Sequence, residues 1–408
     1  MLFGEVLVRT SPFVISLTAF FRISVQLLFE SLFSGVAIGS VLLMAALGLA
    51  IVFGLMGVIN LAHGELIMLG AYTTYVVQLI FKLPAMQPLY GLYVLVAIPI
   101  AFMTSGVVGI LLERTVIRRL YGNPLETLLA TWGVSLILQQ FVRSVPLAQA
   151  AGLVLALVLG FSLPLVLPQK LLQGTRHRLI RVGSWGSSAL VGVLFAGFLA
   201  EQISRIARAT SRNVDVTAPK WMRGGIEWMN LTFPVPRLVI IAITIVAVLG
   251  VTWFLNRSVW GMRIRAVTQN RSMSDCLGIS TDTVDVLTFG IGSGLAGVAG
   301  VAVSLLGSVG PNVGTSYIVG CFMVVVLGGV GNLLGTVIAS FAIGLLTDLI
   351  GAGRLLTMWP DMPAPLERVV EFFATTSMAQ VMVFALIVVF LQFRPSGLFP
   401  QKGRLVEA

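Results

Sequence analysis

Long apolar runs separated by short polar joints fill almost the whole chain, and each run is about the length that crosses a bilayer as a helix. They predict helices near 31–53, 64–81, 89–112, 126–144, 146–168, 186–201, 235–255, 284–307, 317–330, 333–352 and 379–393. The expected fold is an all-α polytopic membrane protein with about 9 to 11 transmembrane segments. Residues 13–29 are apolar apart from Arg22, Ser16, Thr18, Ser24 and Gln26. No basic start followed by small residues marks them for cleavage, so an extra interfacial or spanning helix is expected there.

One polar cluster interrupts the first long run. Between Ser31 and Phe81, Glu65 is the only formally charged side chain, and it follows Gly54, Gly57, Asn60, His63 and Gly64. A carboxylate at membrane depth is costly and persists where it faces a bundle interior or a water-filled path. An interrupted helix in a membrane must likewise be buried in protein or line a cavity. A second interruption, Gly328, Gly329, Gly331 and Asn332, also lies between two apolar segments. Paired interruptions in the two halves of a chain suggest inverted repeats with a pathway at their interface. The glycines of 284–307 (Gly290, Gly294, Gly297 and Gly300) are read instead as close packing between helices.

Composition agrees with this class. The 408 residues are 57% hydrophobic and 10% charged, whereas soluble domains carry about 25% charged residues. The net charge of +10 reads as topology, because Lys and Arg collect in cytoplasmic loops. No basic patch is interleaved with exposed aromatics, so nucleic acid is not an expected partner. The joint holding Glu113, Arg114, Arg118 and Arg119 is basic, as are 257–271 and the tail with Arg394, Lys402 and Arg404. All three should be cytoplasmic. The stretch 169–185 and the loop with Arg205, Arg208, Arg212, Lys220 and Arg223 strain that rule, and 146–201 reads equally as two crossings, a re-entrant hairpin or a peripheral element.

Several chemistries find no support. Gly292, Gly294 and Gly297 match a dinucleotide fingerprint but follow no strand. No phosphate-binding G-x-x-x-x-G-K-[ST] loop is present. With two histidines, one in a basic segment, no nucleophilic triad is arguable. The two cysteines, Cys276 and Cys321, have no His or Cys neighbours at metal spacing. Asn230 and Thr232 fit a glycosylation acceptor, which means little outside a secretory context. The chain is not expected to be an enzyme or to hold a cofactor or metal.

Four segments carry a family resemblance. They are Gly54 to Tyr72; Pro124 to Gln140, with Glu126, Thr127, Trp132, Gly133, Ser135 and Gln139; Ala296 to Gly335, with Gly310, Pro311, Asn312 and Gly328 to Asn332; and Arg394 to Pro400. Together they resemble the LivH-type permeases, membrane subunits of branched-chain amino acid ABC importers. Within these they look most similar to the urea importer's permease, the UrtB type. Residues 145–205 depart from that pattern. The resemblance implies four parts: 1–30, an apolar N-terminal segment; 31–144, the first permease half; 145–205, an insertion; and 206–404, the second half with a coupling loop at 256–283.

The resemblance further implies an inner-membrane permease without its own ATPase. Its partners would be a second homologous permease, two cytoplasmic ATPases, a periplasmic binding protein and the lipid bilayer. The coupling residues would be Arg265, Thr268, Asn270, Asp275, Leu277 and Gly278, on a short helix ending at Gly278. Urea is the first substrate expectation, because a neutral solute needs only the amides, hydroxyls and carbonyls that Asn60, Thr127, Asn312 and Asn332 could supply. A zwitterionic amino acid would call for paired charges. Branched-chain amino acids or short amides are the alternative, and a stand-alone channel or carrier is another. Asn60, His63 and Glu65 could line the path, bond across the repeat interface, or cap the second helix with a carboxylate favoured by the helix dipole.

Overall fold

The computed structural model describes residues 12–166, 176–203, 213–228, 231–354 and 363–399. Fourteen helices and one small hairpin occur among them: α1 (Pro12–Met56), α2 (His63–Phe81), α3 (Tyr93–Thr115), α4 (Pro124–Ser144), α5 (Leu147–Val166), α6 (Arg176–Ile203), β1 (Gly225–Trp228), β2 (Leu231–Pro234), α7 (Val235–Arg257), α8 (Val259–Gln269), α9 (Arg271–Cys276), α10 (Thr281–Ser304), α11 (Val313–Gly328), α12 (Leu333–Gly351), α13 (Ala364–Phe373) and α14 (Thr376–Phe393). Eight helices among the described residues are long and apolar enough to span a membrane. Three shorter apolar helices, Ala148–Gly160, Val313–Gly328 and Met378–Phe393, accompany them. The all-α polytopic expectation holds.

Two boundaries correct the sequence reading. The run 13–29 is no separate helix: α1 continues from Pro12 through Met56 without a break. No Pro interrupts this stretch after Pro12, and Glu30, the lone charge between the two apolar runs, is a good helix former. The expected short span 186–201 begins ten residues earlier, at Arg176, and takes in Arg178 and Arg181. Arginine is a good helix former, so a cationic run read as a joint becomes the first turns of α6. Lys170, Arg205, Arg208, Arg212, Asn230, Lys402 and Arg404 lie outside the described residues.

The core is built around α10, which is buried on nearly every side against α1, α2 and α3. Its glycines are packing residues, as read. At Gly70 of α2 a Cβ would meet the backbone of Gly297, whose Cα would lie 2.6 Å away. Helices meeting this closely gain dispersion contact, which drives association where lipid is as apolar as the side chains. α1 runs beside α12 along the other flank. At one end of that pair Ser31 Oγ donates to Asp348 at 3.0 Å, and Arg354 Nε pairs with the same carboxylate at 3.0 Å. At the other end the two interruptions meet. A Cβ at Gly54 would fall 2.5 Å from the Cα of Gly331.

α5 and α6 pair with each other through Gly152 and Gly192 and touch the remaining bundle only lightly. Beyond α6 the chain 213–224 covers the joint between α2 and α3. Thr217 O accepts from Gln78 Nε2 (2.8 Å), Tyr93 Oη (2.9 Å) and Tyr90 Oη (3.1 Å). Trp221 Nε1 donates to Gly91 O at 2.7 Å. The β1–β2 hairpin, with Ile226 opposite Phe233, leads straight into α7.

Candidate translocation site

The first interruption turns the chain back into the bundle. α1 ends at Met56, Gly57 takes φ +70°, and α2 starts at His63 alongside the middle of α1. His63 Nε2 lies 2.9 Å from the carbonyl oxygen of Ala45 in α1. Asn60 and His63 are fully buried and Glu65 is 1% exposed. Both side-chain polar atoms of Asn60, Nδ1 of His63 and Oε2 of Glu65 have no hydrogen-bond partner among the described residues. Glu65 lies in the first turn of α2, but its carboxylate does not cap that helix. Oε1 accepts instead from Ser135 Oγ of α4 at 3.0 Å.

α4 supplies the facing wall. Pro124 occupies its first turn, where its missing N–H costs nothing, and Glu126 suits the positive end of the dipole. Thr127, Thr131, Ser135, Gln139 and Arg143 follow at four-residue spacing and so lie along one face. Thr127 Oγ1 is satisfied locally by Leu120 O and Asn123 O. Thr131 Oγ1 accepts from Leu61 N at 3.2 Å, inside the interruption. Gln139 Nε2 donates to Asn312 Oδ1 at 3.0 Å, and Arg143 Nη2 donates to the same oxygen at 2.5 Å. Thr315 and the carbonyl of Pro311 lie within 3.4 Å and 3.3 Å of Gln139 Nε2.

The strip rises about 24 Å from residue 127 to 143 at 1.5 Å per residue. It meets first the interruption, then Glu65, then the entry to α11. Gly64 and Gly314 are in backbone contact, which brings the start of α2 and the start of α11 to the same depth. Arg143 is close enough for its charge to act on Glu65 and on Tyr72. The opposite face of α4 is bare: Leu125, Leu129, Trp132, Leu136 and Ile137 are between 47% and 74% exposed.

Of the residues expected to line a pathway, the structure sets Glu65 and Asn312 against the α4 strip, with Asn60 in the interruption beside Thr131, whereas His63 faces α1 at Ala45. Thr127 stands at its lower end. Asn332 sits apart at the second interruption and caps α12: Oδ1 accepts from Gly335 N at 3.2 Å. Its Nδ2 donates to Phe399 O at 3.4 Å, tying the tail to the same place. Thr131, Arg143 and Thr315 are not singled out in the sequence, and Ser135 and Gln139 stand out there only as part of a family motif. The four-residue rhythm of polar positions in α4 carries the signal that would have found four of them.

The expected coupling segment forms two helices rather than one. Ser258 Oγ caps α8 through Gly261 N at 2.9 Å, and Asn270 Oδ1 caps α9 through Met273 N at 2.9 Å. That second cap stops α8 and restarts the helix one residue on. Gly278, with φ +80°, closes α9 as expected of a helix C-terminus. Thr268 Oγ1 donates back to Ile264 O at 2.8 Å, and Arg265 Nη1 reaches Asn256 Oδ1 at 3.5 Å. Met262, Met273 and Leu277 are 60%, 57% and 73% exposed, and Asp275 is exposed beside them. Arg271 Nη2 binds Asp285 at 2.6 Å, and Arg118 pairs with Asp282, so this segment and the α3–α4 joint share one end of the molecule. Between them Tyr121 has its phenol pushed above the usual range, first by burial and then by the charges of Asp285 and Glu113.

The profile of a family described as "Branched-chain amino acid transport system / permease component" matches residues 31–391. The chain is 25% identical over 371 residues to the high-affinity branched-chain amino acid transport system permease protein BraD of Pseudomonas aeruginosa, covering 90% of this chain and 94% of that one. It is 26% identical over 373 residues to LivH, of the same description, from Salmonella typhimurium, with the same coverage. A shorter match, 24% over 160 residues, links it to the autoinducer 2 import system permease protein LsrC of Salmonella paratyphi B, across 37% of this chain and 46% of that one. No solved structure matches. Permease components of ABC importers are multi-pass inner-membrane proteins, and ATPase activity sits on separate subunits. With the family's profile matched across the whole bundle, from α1 to α14, the chain belongs to the branched-chain amino acid permease family of ABC importers.

Proposed function

We propose that this chain is the permease through which an ABC importer passes branched-chain amino acids, with the α4 strip as its share of the route. The observation that carries this reading is the placing of opposite charges along one strip, Glu65 of α2 against it and Arg143 on it. Glu65 stands behind Ser135, and Arg143 stands two turns further along, with Gln139 and Asn312 between them. A zwitterion suits such an arrangement. Its carboxylate can replace Asn312 Oδ1 on Arg143 and Gln139, and its ammonium can approach Glu65. Exchanging two donors from a protein amide to a carboxylate keeps both satisfied.

Urea was the first expectation from sequence. Gln139, Asn312 and Thr315 could hydrogen-bond urea, but a neutral solute has no use for the two charges. The relatives named for branched-chain amino acids favour the same answer. The bare face of α4 is where a second permease would complete the wall. One of the two ATPases would dock on α8–α9, and a binding protein would deliver substrate at the opposite end.

The test is uptake by the complete complex in proteoliposomes, with labelled leucine and labelled urea at micromolar concentration in separate runs. ATP-dependent leucine uptake that excess unlabelled isoleucine suppresses and urea does not is expected. Urea uptake without leucine uptake would restore the first expectation. Robust uptake by the chain alone, without ATPases, would make it a channel or carrier. Glu65→Gln keeps an acceptor for Ser135, so assembly should hold while leucine uptake falls. Unchanged uptake would remove Glu65 from the route.

A further inference from the structure

Glu113 closes α3 at the end of the molecule that carries α8 and α9. It is fully buried, and neither of its carboxylate oxygens has a hydrogen-bond partner among the described residues. The phenol of Tyr121 beside it is also without one. A buried charge lacking a partner is among the least favourable arrangements a fold contains. Yet cations surround it: the charges of Arg118, Arg114 and Arg271 all bear on Glu113, against that of Asp285. Two of these are held elsewhere. Arg118 pairs with Asp282. Arg271, the first residue of α9, binds Asp285 of α10 at 2.6 Å, and its guanidinium lies 5.0 Å from the centre of the Tyr121 ring.

We propose that Glu113 is the second seat of Arg271, so that this arginine passes from Asp285 to Glu113 and back as the α8–α9 segment moves during transport. The inference rests on the importer reading, since it needs a partner that moves this segment. Three features assign the exchange to Arg271. It sits on the short helix between the Asn270 cap and Gly278, and this ion pair ties the helix to α10. It is 45% exposed, so its guanidinium has room to turn. Its two acceptors belong to different helices, α10 and α3, which pack on each other along their length. Tyr121, whose ring Arg271 already approaches, stands along the way.

The consequence reaches the translocation site through packing. α10 carries Gly297 and Gly300 against α2, whose first turn holds Glu65. Moving one cation from α10 to α3 changes which of the two helices the α8–α9 segment grips. Glu113 and Arg271 are therefore positioning residues. Neither touches substrate.

The experiment compares substrate imported per ATP hydrolysed by the reconstituted complex. Glu113→Gln should lower that ratio by about fivefold or more while hydrolysis continues, the scale of a typical coupling between sites. Glu113→Asp should restore most of it. Arg271→Gln should give a similar loss. The double variant should be no worse than the worse single one, since both remove the same exchange. Losses that multiply in the double variant, or a normal ratio in Glu113→Gln, would overturn the proposal.

Absence of any ATP-driven uptake by the unmodified complex would instead count against the importer reading.

Discussion

Replacing Gly54 with alanine tests whether contact between the two interruptions holds the bundle together. An added Cβ would lie 2.5 Å from the Cα of Gly331 and 2.8 Å from its nitrogen. Carbon atoms in good contact are about 3.5–4.0 Å apart, so the two segments must part by about 1 Å. Neither side is a flexible side chain that could move aside. Gly331 is held at φ +87° and Gly329 at φ +97°, in a turn closed by Asn332 N to Gly329 O at 3.0 Å. The tail leans on the same turn through Leu398 N to Leu327 O at 2.8 Å. Overpacking of this kind costs about 1–3 kcal/mol. Alanine recovers about 0.5–1 kcal/mol in a helix by its lower backbone entropy. The net destabilisation is then between about 0 and about 2.5 kcal/mol, centred on about 1 kcal/mol.

Gly133→Ala is the matched control. Gly133 lies within α4, and nothing comes within 4 Å of the position its Cβ would take, so only the propensity gain remains. The assay is thermal denaturation of the purified complex, with leucine uptake measured alongside. Gly54→Ala should melt lower than wild type and transport poorly, whereas Gly133→Ala should melt at or slightly above wild type. Equal melting and equal uptake for the two variants would refute the idea that the interruptions bear on each other. Gly331→Ala should be worse than Gly54→Ala, because it adds the strain of a side chain at positive φ.

Three other changes probe separate parts of the molecule. Leu277→Asp places a charge on the exposed apolar patch of α8–α9 and should abolish ATPase pull-down and coupled uptake while the chain still inserts; survival of both would leave the segment as a topology signal only. Asn332→Ala removes the cap from α12 and should cost about 1 kcal/mol, read as a lower melting point with uptake per assembled complex unchanged; a selective loss of uptake would move Asn332 into the pathway. Maleimide should label exposed Cys276 in inside-out vesicles and spare buried Cys321, and bound ATPase should protect Cys276; labelling from the outside of intact cells would invert the topology.

Most of the fold was legible in the sequence because apolar length alone decides where a helix can cross a bilayer. The spans at α2, α4, α7 and α12 lie within two residues of their expected ends. The misplaced boundaries share one cause. The cations at 176, 178 and 181 read as a joint on a hydropathy argument, and Glu30 parts the two apolar runs that α1 joins, yet the backbone bonding of a helix is indifferent to side-chain charge once an end reaches water. The β1–β2 hairpin and α13 carried no apolar run and went unseen.

The site was legible by half. A single carboxylate in an apolar run marked Glu65, and glycine with asparagine marked both interruptions. What no spacing could show is that Asn312 meets Gln139 and Arg143, partners far away along the chain. That contact exists because the chain between α10 and α11 dips into the bundle to the depth of Gly64. Depth follows from packing among four helices, and a one-dimensional pattern holds no record of it.

The same packing explains why the polar residues at the interruption are buried so completely. α1, α2, α3 and α10 approach through glycine and small residues, which leaves no slack around Asn60 and His63. Four unpartnered polar atoms in so tight a place are costly in any one state. A fold that only had to be stable would hold leucine or alanine there. A fold that must open offers these atoms partners in another arrangement: water, substrate or each other. Glu113 presents the same signature at the end of α3, where its candidate partner, Arg271, lies on the segment an ATPase would move. The two unsatisfied clusters are joined through α10, the most enclosed helix of the bundle. A shift of α10 alone would alter the surroundings of both. That is the physical requirement for coupling hydrolysis at one end of the protein to passage at its centre.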